Sequence, residues 1–340
     1  MATLKQQTQH LTRKWSASYS VLAGLVILLL LAFLSIVKLE LVVNGLFLGA
    51  IIALGAIGLS LLYSILNFAH IAHGDFMTLG AYVVLFLLGT LFPSIGLEGT
   101  GFGPFTFGYP VFFALPLSIL ALAAVAIGLD IGIYRRLRRR NVSTVVLAMT
   151  SLGVAIALRG LVQVIWGGET WQYPRLSKSF YMLPMEVRIP PDNLFIGALA
   201  VILVLALYLF LTRTKMGKAM RATSDNMELA RVSGINTERV IWWTWAISAA
   251  LAATAGVLLA IFQAQLLPIM GWRFLIPLFA AVVLGGIGNP YGALVGALII
   301  GVTSEVSTQW LNPAYKIGIA FLIMIVTLLV RPRGIFGGKE

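Results

Sequence analysis

Polar side chains interrupt one of the most apolar parts of this sequence, between residues 67 and 75. Asn67, His70, His73 and Asp75 lie within nine residues, with Gly74 among them. On a helix, His70 and His73 would share a face, because residues three apart are neighbours on a helical surface. Imidazole and carboxylate groups at this spacing could ligate a metal, take up a proton or bind a polar solute.

A metal site is not favoured by this set of side chains. Zinc sites use three protein ligands and a water, or four protein ligands, whereas the chain has three histidines and no cysteine. Two interpretations of residues 67–75 stay open. The stretch is either a break in a membrane helix, whose polar groups line a solute pathway, or a plain polar turn between two helices.

A short amphipathic pattern occurs later in the chain, in the sequence NMELARVS. Asp225 followed by Glu228 resembles a capping box and predicts a helix start, and Gly234 predicts its end. Leu229 and Ala230 are the apolar residues at its centre. We therefore predict a helix of about two turns, either an unpartnered surface helix or a rigid knob presented to another protein.

A run of glycines precedes an Asn-Pro pair further along the chain. Gly285, Gly286 and Gly288 are followed by Asn289 and Pro290, a composition typical of tight turns. The dinucleotide-binding pattern of strand, G-x-G-x-x-G and helix is absent. The sequence therefore predicts a turn between two membrane spans here.

Signatures of enzymes are missing from the sequence. There is no G-x-x-x-x-G-K-[ST] loop for nucleotides, no G-x-S-x-G and no H-E-x-x-H. We therefore expect no catalytic residue, no metal and no cofactor. Arg159, Gln163 and Glu305 are isolated polar residues within apolar runs, and each is either an interhelical contact or a cavity group.

The elements that carry all these residues are apolar runs of membrane-spanning length. The 340 residues are 59% hydrophobic and only 11% charged, against about 25% in soluble domains. A membrane helix needs about 20 apolar residues, and the alternation of a membrane β-barrel is absent. We predict an all-α polytopic membrane protein with ten spans, or eight if some segments are re-entrant. The predicted spans are near 21–39, 42–66, 76–92, 111–133, 144–165, 193–212, 240–262, 272–288, 291–310 and 316–331.

Lysine and arginine residues predict the orientation of this bundle. With the N-terminus inside, 17 of the 24 lie in inside segments, as the positive-inside rule requires. Both termini are then cytoplasmic, and the net charge of +12 is explained without a nucleic-acid partner. The predicted parts are a tail (1–20), a transmembrane domain (21–331) with a cytoplasmic segment (213–239), and a second tail (332–340).

Two further patterns concern the organisation of the bundle. The outside segment 166–193 is rich in Trp, Tyr and Pro, and is either an interfacial cap or a docking surface for an extracytoplasmic protein. Polar breaks near 67–75 and 263–273 each follow a span rich in glycine and alanine. This spacing is consistent with a two-fold internal repeat of the kind found in transporters.

Three stretches together resemble the permease subunits of branched-chain amino acid ABC importers of the leucine/isoleucine/valine type. The stretches are NFAHIAHGDFMTLGAYVV (67–84), GKAMRATSDNMELARVSGINTERV (217–240) and AAVVLGGIGNPYGALVGALIIG (280–301). The resemblance spans roughly residues 42–331. Family members usually carry a shorter N-F-A-H-G-[DE]-F run, so both His70 and His73 are alternatives for the family histidine.

The resemblance implies a division of labour in a bacterial inner membrane. Two permease subunits, identical or homologous, form the pathway, and two ABC ATPase subunits drive it from the cytoplasm. An extracytoplasmic solute-binding protein delivers the solute. Glu228, Ala230 and Gly234 match the family's E-x-A-x-x-x-G pattern, which makes the short helix the coupling helix.

The expected function is therefore transport of neutral or branched-chain amino acids, with ATP hydrolysis on partner chains and no enzyme activity in this one. The charged groups of an amino acid could meet half-helix ends near residues 67–75, where helix dipoles favour ions. Two alternatives stay open: a urea or short-amide ABC permease, and an ATP-independent channel or secondary carrier. The second alternative would not need the helix around Glu228.

Overall fold

A computed structural model describes residues 38–97, 99, 102–176, 181–183 and 187–337 of the chain. Within these ranges, eight helices are long and apolar enough to cross a membrane. The prediction of an all-α polytopic membrane protein is thereby confirmed. The predicted N-terminal tail, almost all of the first predicted span and residues 338–340 of the second tail lie outside the described residues.

The described part of the chain is almost entirely helical. The helices in chain order are α1 (Leu39–Leu66), α2 (His73–Ser94), α3 (Pro110–Arg139), α4 (Thr144–Trp166), α5 (Pro191–Arg213), α6 (Lys215–Asp225), α7 (Met227–Val232), α8 (Thr237–Gln263), α9 (Met270–Gly285), α10 (Pro290–Gln309) and α11 (Pro313–Val330). Turns of π-helix lie within α2 at Leu87–Leu91 and within α3 at Asp130–Tyr134. Two short antiparallel strands, β1 (Tyr181–Leu183) and β2 (Val187–Ile189), precede α5.

Nine of the ten predicted spans coincide with helices in the structure, and α9 is the short one. It has 16 residues, which at 1.5 Å per residue gives about 24 Å, less than the roughly 30 Å of a hydrocarbon core. The predicted bounds, 272–288, placed it a few residues too late. Met270 and Gly271, which begin α9, are buried in the bundle.

The two ends of the bundle differ in composition. One end, called the basic end here, contains residues 134–143, 213–239, 286–291 and 331–337. Arg135 pairs with Glu238 at 3.1 Å at this end. The opposite end is called the aromatic end, since it holds a cluster of phenylalanine rings that includes Phe105 and Phe107. At the aromatic end, Trp171 and Leu266 exchange backbone hydrogen bonds.

Helices α1 and α8 form the centre of the bundle, and most of their residues are buried. Small residues let α1 approach its neighbour α10 closely. A Cβ atom on Gly45 or Gly49 would press against the backbone of Val302 or Leu298. In lipid, where apolar side chains gain little from mutual contact, such close packing is a main source of helix association.

The central helices are arranged as two similar units that run in opposite directions. Asn67 ends α1 and Ala264 ends α8, each in the left-handed conformation, with φ of 53° and 58°. An irregular stretch follows each end, and a new helix then begins, at His73 and at Met270. Since α1 ends at the basic end and α8 at the aromatic end, this pattern is that of an inverted repeat.

Candidate functional site

The stretch after α1 runs back into the bundle against α4. Asn67 is exposed at the basic end, and its backbone N–H donates to Tyr63 O at 2.9 Å. The Ile71 N–H donates to Ser151 Oγ at 3.0 Å, and the Ser151 hydroxyl donates to Ala148 O at 2.7 Å and lies 3.3 Å from Ala69 O. Part of this irregular backbone is therefore satisfied by protein groups, as irregular backbone at membrane depth requires.

Both histidines of the stretch are completely buried. His73 Nε2 donates to Gly55 O on α1 at 2.9 Å, which holds the ring in one tautomer. His70 lies among aromatic rings, with ring-centroid distances of 5.0 Å to Trp245 and 5.9 Å to Tyr134. Neither ring nitrogen of His70 has a hydrogen-bond partner among the described residues.

Asp75 forms the charged contact of this region, and its side chain is 1% exposed. Arg159 on α4 donates to both carboxylate oxygens, from Nε and from a terminal nitrogen, each at 3.0 Å. The guanidinium also lies over the Trp272 ring on α9, with Cζ 4.5 Å from the ring centroid. This bidentate pair with its aromatic contact joins α2, α4 and α9 at one point.

Gly74 lies directly against Gly271, so the first turns of α2 and α9 meet. A Cβ atom on either glycine would overlap the backbone of the other. The Gly271 N–H donates to Thr78 Oγ1 at 3.0 Å across the same contact. The residues of the first polar stretch thus form a packed joint between the starts of α2 and α9, with His70, His73 and Asp75 buried in protein.

The second stretch folds as a short exposed helix at the basic end. Asn226 caps α7, because its Oδ1 accepts from the Leu229 N–H at 2.9 Å. The capping box predicted at Asp225 and Glu228 is therefore wrong by one residue, since Asp225 ends the preceding helix α6. Sequence could not separate them, because Asp and Asn are equally good N-caps and stand side by side.

The end of α7 is fixed by its own backbone. Gly234 has φ of 83°, its N–H donates to Arg231 O, and the Ile235 N–H donates to Ala230 O. These two bonds make a Schellman motif. Ala230 is buried, whereas Leu229 and Val232 are 64% and 83% exposed. Glu228 is exposed as well. The helix therefore presents two apolar side chains and a carboxylate outward from a rigid frame.

The turn residues form the connection between α9 and α10. Gly285 ends α9, Gly286 and Gly288 have positive φ, and Pro290 begins α10. Asn289 caps α10, because its Oδ1 accepts from the backbone N–H groups of Tyr291 at 3.0 Å and Gly292 at 3.1 Å. The chain's last described residues dock here, since the backbone N–H groups at positions 335 and 336 donate to carbonyls 284 and 285.

A groove of about 630 Å³ lies beside this turn at the basic end. Its walls come from α1, α6 and the start of α10, and its lining includes Lys218, Arg221 and Asp225. Asp225, which the sequence placed with the coupling helix, thus faces the groove on the α6 side.

A second cavity, of about 440 Å³, lies at the aromatic end between α1, α8, α9, α10 and α11. Its polar lining includes Gln263, Gln265 and Arg273, and Glu305 pairs there with Lys316 at 2.6 Å. Sequence reasoning marked Glu305 as an isolated polar residue and did not join it to the others. Only the arrangement of five helices brings these side chains to one cavity.

Comparison with known proteins matches the chain to one family. The family model described as "Branched-chain amino acid transport system / permease component" matches residues 41–328. The high-affinity branched-chain amino acid transport system permease protein LivH of Escherichia coli (strain K12) is 32% identical over 301 residues, which cover 87% of this chain and 94% of that one. The permease protein BraD of Pseudomonas aeruginosa is 31% identical, covering 89% and 96%. A probable LivH of Methanocaldococcus jannaschii is 31% identical, covering 84% and 89%.

Proposed function

The chain belongs to the permease family of branched-chain amino acid transport systems, and on that premise we propose how it works. It is the membrane-spanning subunit of an ATP-driven importer for neutral, branched-chain amino acids. The family is one of transport subunits, so ATP hydrolysis takes place on partner ATPase chains at the basic end. The same proposal places the chain in a bacterial inner membrane with a second permease subunit, identical or homologous.

The observation that carries this proposal is the form of α7. A helix of six residues is capped at both ends, and it exposes Leu229 and Val232 at i, i+3 spacing. Isolated helices this short do not hold their shape in water, so the two caps and the contact of Ala230 with the bundle maintain it. Such a knob suits a partner's groove, and it can pass a rigid-body movement of that partner to α6 and α8.

The first polar stretch has a supporting part in this proposal. Asn67, His70, His73, Gly74 and Asp75 set where α2 starts and how it contacts α4 and α9. We place the substrate pathway next to this joint, so that movement of the joint changes the pathway's width. The binding protein meets the aromatic end, whose exposed Trp171 and Tyr181 suit a protein contact.

Reconstitution in liposomes tests the proposal. We expect leucine accumulation only when the chain is combined with its ATPase and binding-protein partners and with ATP. The variant Leu229→Ser/Val232→Ser should lose ATPase association and uptake while its thermal unfolding is unchanged. Met182→Ser is the matched control for ATPase association, which it should keep, because Met182 is 76% exposed at the opposite end.

Two outcomes separate the alternatives. Leucine movement by the purified chain alone would identify an ATP-independent channel or carrier and overturn the proposal. ATP-driven uptake of urea or a short amide, with none of leucine, isoleucine or valine, would keep the ATP-driven mechanism and replace the substrate.

A further inference from the structure

The cavity at the aromatic end combines charged groups, amides and apolar walls in one space. Its volume of about 440 Å³ falls within the range of small-molecule sites. We propose that this cavity binds the transported amino acid as a zwitterion, within the permease itself, and this inference rests on the function proposed above. The binding protein is then the first selective site and this cavity is the second.

Arg273 is the group that would hold the carboxylate. It lies in the first turn of α9, and its side chain is exposed and makes no hydrogen bond or ion pair with the described residues. An arginine fork without a partner is suited to a carboxylate, which it can bind through two parallel hydrogen bonds. Arg159 differs from Arg273 in this respect, because it already donates two hydrogen bonds to the Asp75 carboxylate.

Glu305 is the group that would hold the ammonium. One of its oxygens, Oε1, accepts from Lys316 Nζ at 2.6 Å, and Oε2 has no hydrogen-bond partner among the described residues. Gln263 and Gln265 add amide groups that likewise have no partner in the described part of the chain. A substrate ammonium could therefore bind Oε2 and an amide oxygen while the Lys316 pair stays in place.

The remaining wall is apolar and suits an aliphatic side chain. Leu48 and Ile52 of α1, Phe262 of α8 and Phe274 of α9 line it. This combination favours a branched-chain amino acid over urea, because urea has neither charge nor an apolar part. Burial of an aliphatic side chain against such a wall contributes free energy in proportion to the apolar area removed from water.

Ligand analogues with single changes test the assignment group by group. The chain alone, in phosphatidylcholine nanodiscs, is titrated with leucine, with leucinamide, which lacks the carboxylate, and with 4-methylpentanoate, which lacks the ammonium. We expect the wild-type chain to prefer leucine over both analogues. Arg273→Gln should lose about tenfold to hundredfold in leucine affinity and should no longer distinguish leucine from leucinamide.

The same variant should still distinguish leucine from 4-methylpentanoate, and Glu305→Gln should show the reverse pattern. Arg273→Lys should recover part of the affinity, because it keeps the charge and loses the fork. Arg188→Gln is the control, since Arg188 is exposed at the same end and is not part of the cavity lining. Arg273 is exposed, so its variants should fold like the wild-type chain.

Two results would overturn the inference: a wild-type chain that binds leucine no better than leucinamide, or an Arg273→Gln variant with the wild-type preference. The test needs neither an ATPase nor a binding protein. A negative result here therefore leaves the proposed coupling through α7 standing, and a failure of coupling leaves this binding measurable.

Discussion

At the scale of single residues, the contact between Asp75 and Arg159 links α2 to α4 inside the bundle. Its two hydrogen bonds and the Trp272 ring join three helices. Arg159→Met leaves the buried carboxylate without a partner, which costs about 3 to 5 kcal/mol. We expect a large drop in the unfolding midpoint of the detergent-solubilised chain.

The double variant Asp75→Asn/Arg159→Met distinguishes a specific pair from general sensitivity at these positions. Because it removes both charges, it should be more stable than Arg159→Met alone, and the two single effects should not add. Strict additivity of the two effects would show that the residues act independently. The variant Arg188→Gln, at an exposed arginine, should change the midpoint little.

The contact between Gly74 and Gly271 gives a second prediction at this scale. Gly271→Ala inserts a methyl group into the backbone of α2 and should destabilise the chain by about 1 to 3 kcal/mol or more. Gly153→Ala is the matched control, since nothing lies within 4 Å of a Cβ there and Gly153 is in the middle of α4. The control should gain about 0.5 to 1 kcal/mol from the removal of helical glycine, measured in the same unfolding assay.

The composition of these contacts was visible in the sequence, but their pairing was not. The stretch 67–75 could be identified from the sequence because polar residues are rare in apolar runs. Its partner Arg159 lies 84 positions away, and only the packing of α2 against α4 brings the two together. The same holds for Arg273 and Glu305, which belong to helices separated by a turn and face one cavity through tertiary contacts alone.

At the scale of elements, two asparagine caps of the same kind allow a controlled comparison. Asn226 caps α7 at 2.9 Å and Asn236 caps α8 at 3.0 Å, each with its side-chain oxygen. Each cap contributes about 1 kcal/mol, but α7 has six residues and α8 has 27. Asn226→Ala should therefore loosen the whole of α7, whereas Asn236→Ala should affect one turn.

The measurement is the number of leucine molecules accumulated per ATP hydrolysed by the reconstituted complex. Asn226→Ala should lower this ratio, and Asn236→Ala should leave it near the wild-type value. Equal effects of the two variants would show that stiffness of α7 is not what couples the partner to the bundle. The unfolding midpoint should remain near that of the wild-type chain in both.

Elements were more predictable than contacts because hydropathy is a local property. Apolar runs of about 20 residues located nine helices to within six residues, because a bilayer is spanned by helices of about this length. The sequence did not predict the short length of α9 or the π-helical turns at Leu87–Leu91 and Asp130–Tyr134. These features depend on what each helix packs against. The predicted cap of α7 was one residue too early, because two good capping residues, Asp225 and Asn226, are adjacent in the sequence.

At the scale of the whole molecule, the opposite directions of the two central units bear on how the bundle could move. Each unit pairs a long helix, α1 or α8, with a second helix that begins inside the bundle, α2 or α9, and these two beginnings meet at Gly74 and Gly271. A joint between two such units can rock without unfolding either, which is the usual basis of alternating access in repeat-built transporters. The cavity beside α9 lies toward one side of this joint and the α7 knob toward the other.

This arrangement works only if the basic end faces the ATP supply, and the chain is well suited to a test because it has no cysteine. Single cysteines are placed at Ser224, exposed at the basic end, and at Glu169, exposed at the aromatic end. In intact spheroplasts, a membrane-impermeant maleimide should label Glu169→Cys at once and Ser224→Cys only after permeabilisation. The positive-inside rule gives this expectation its physical reason. The reverse pattern would place α7 and the groove beside Lys218 away from cytoplasmic ATP, and it would remove the proposed coupling together with the assignment of the aromatic end to the binding protein.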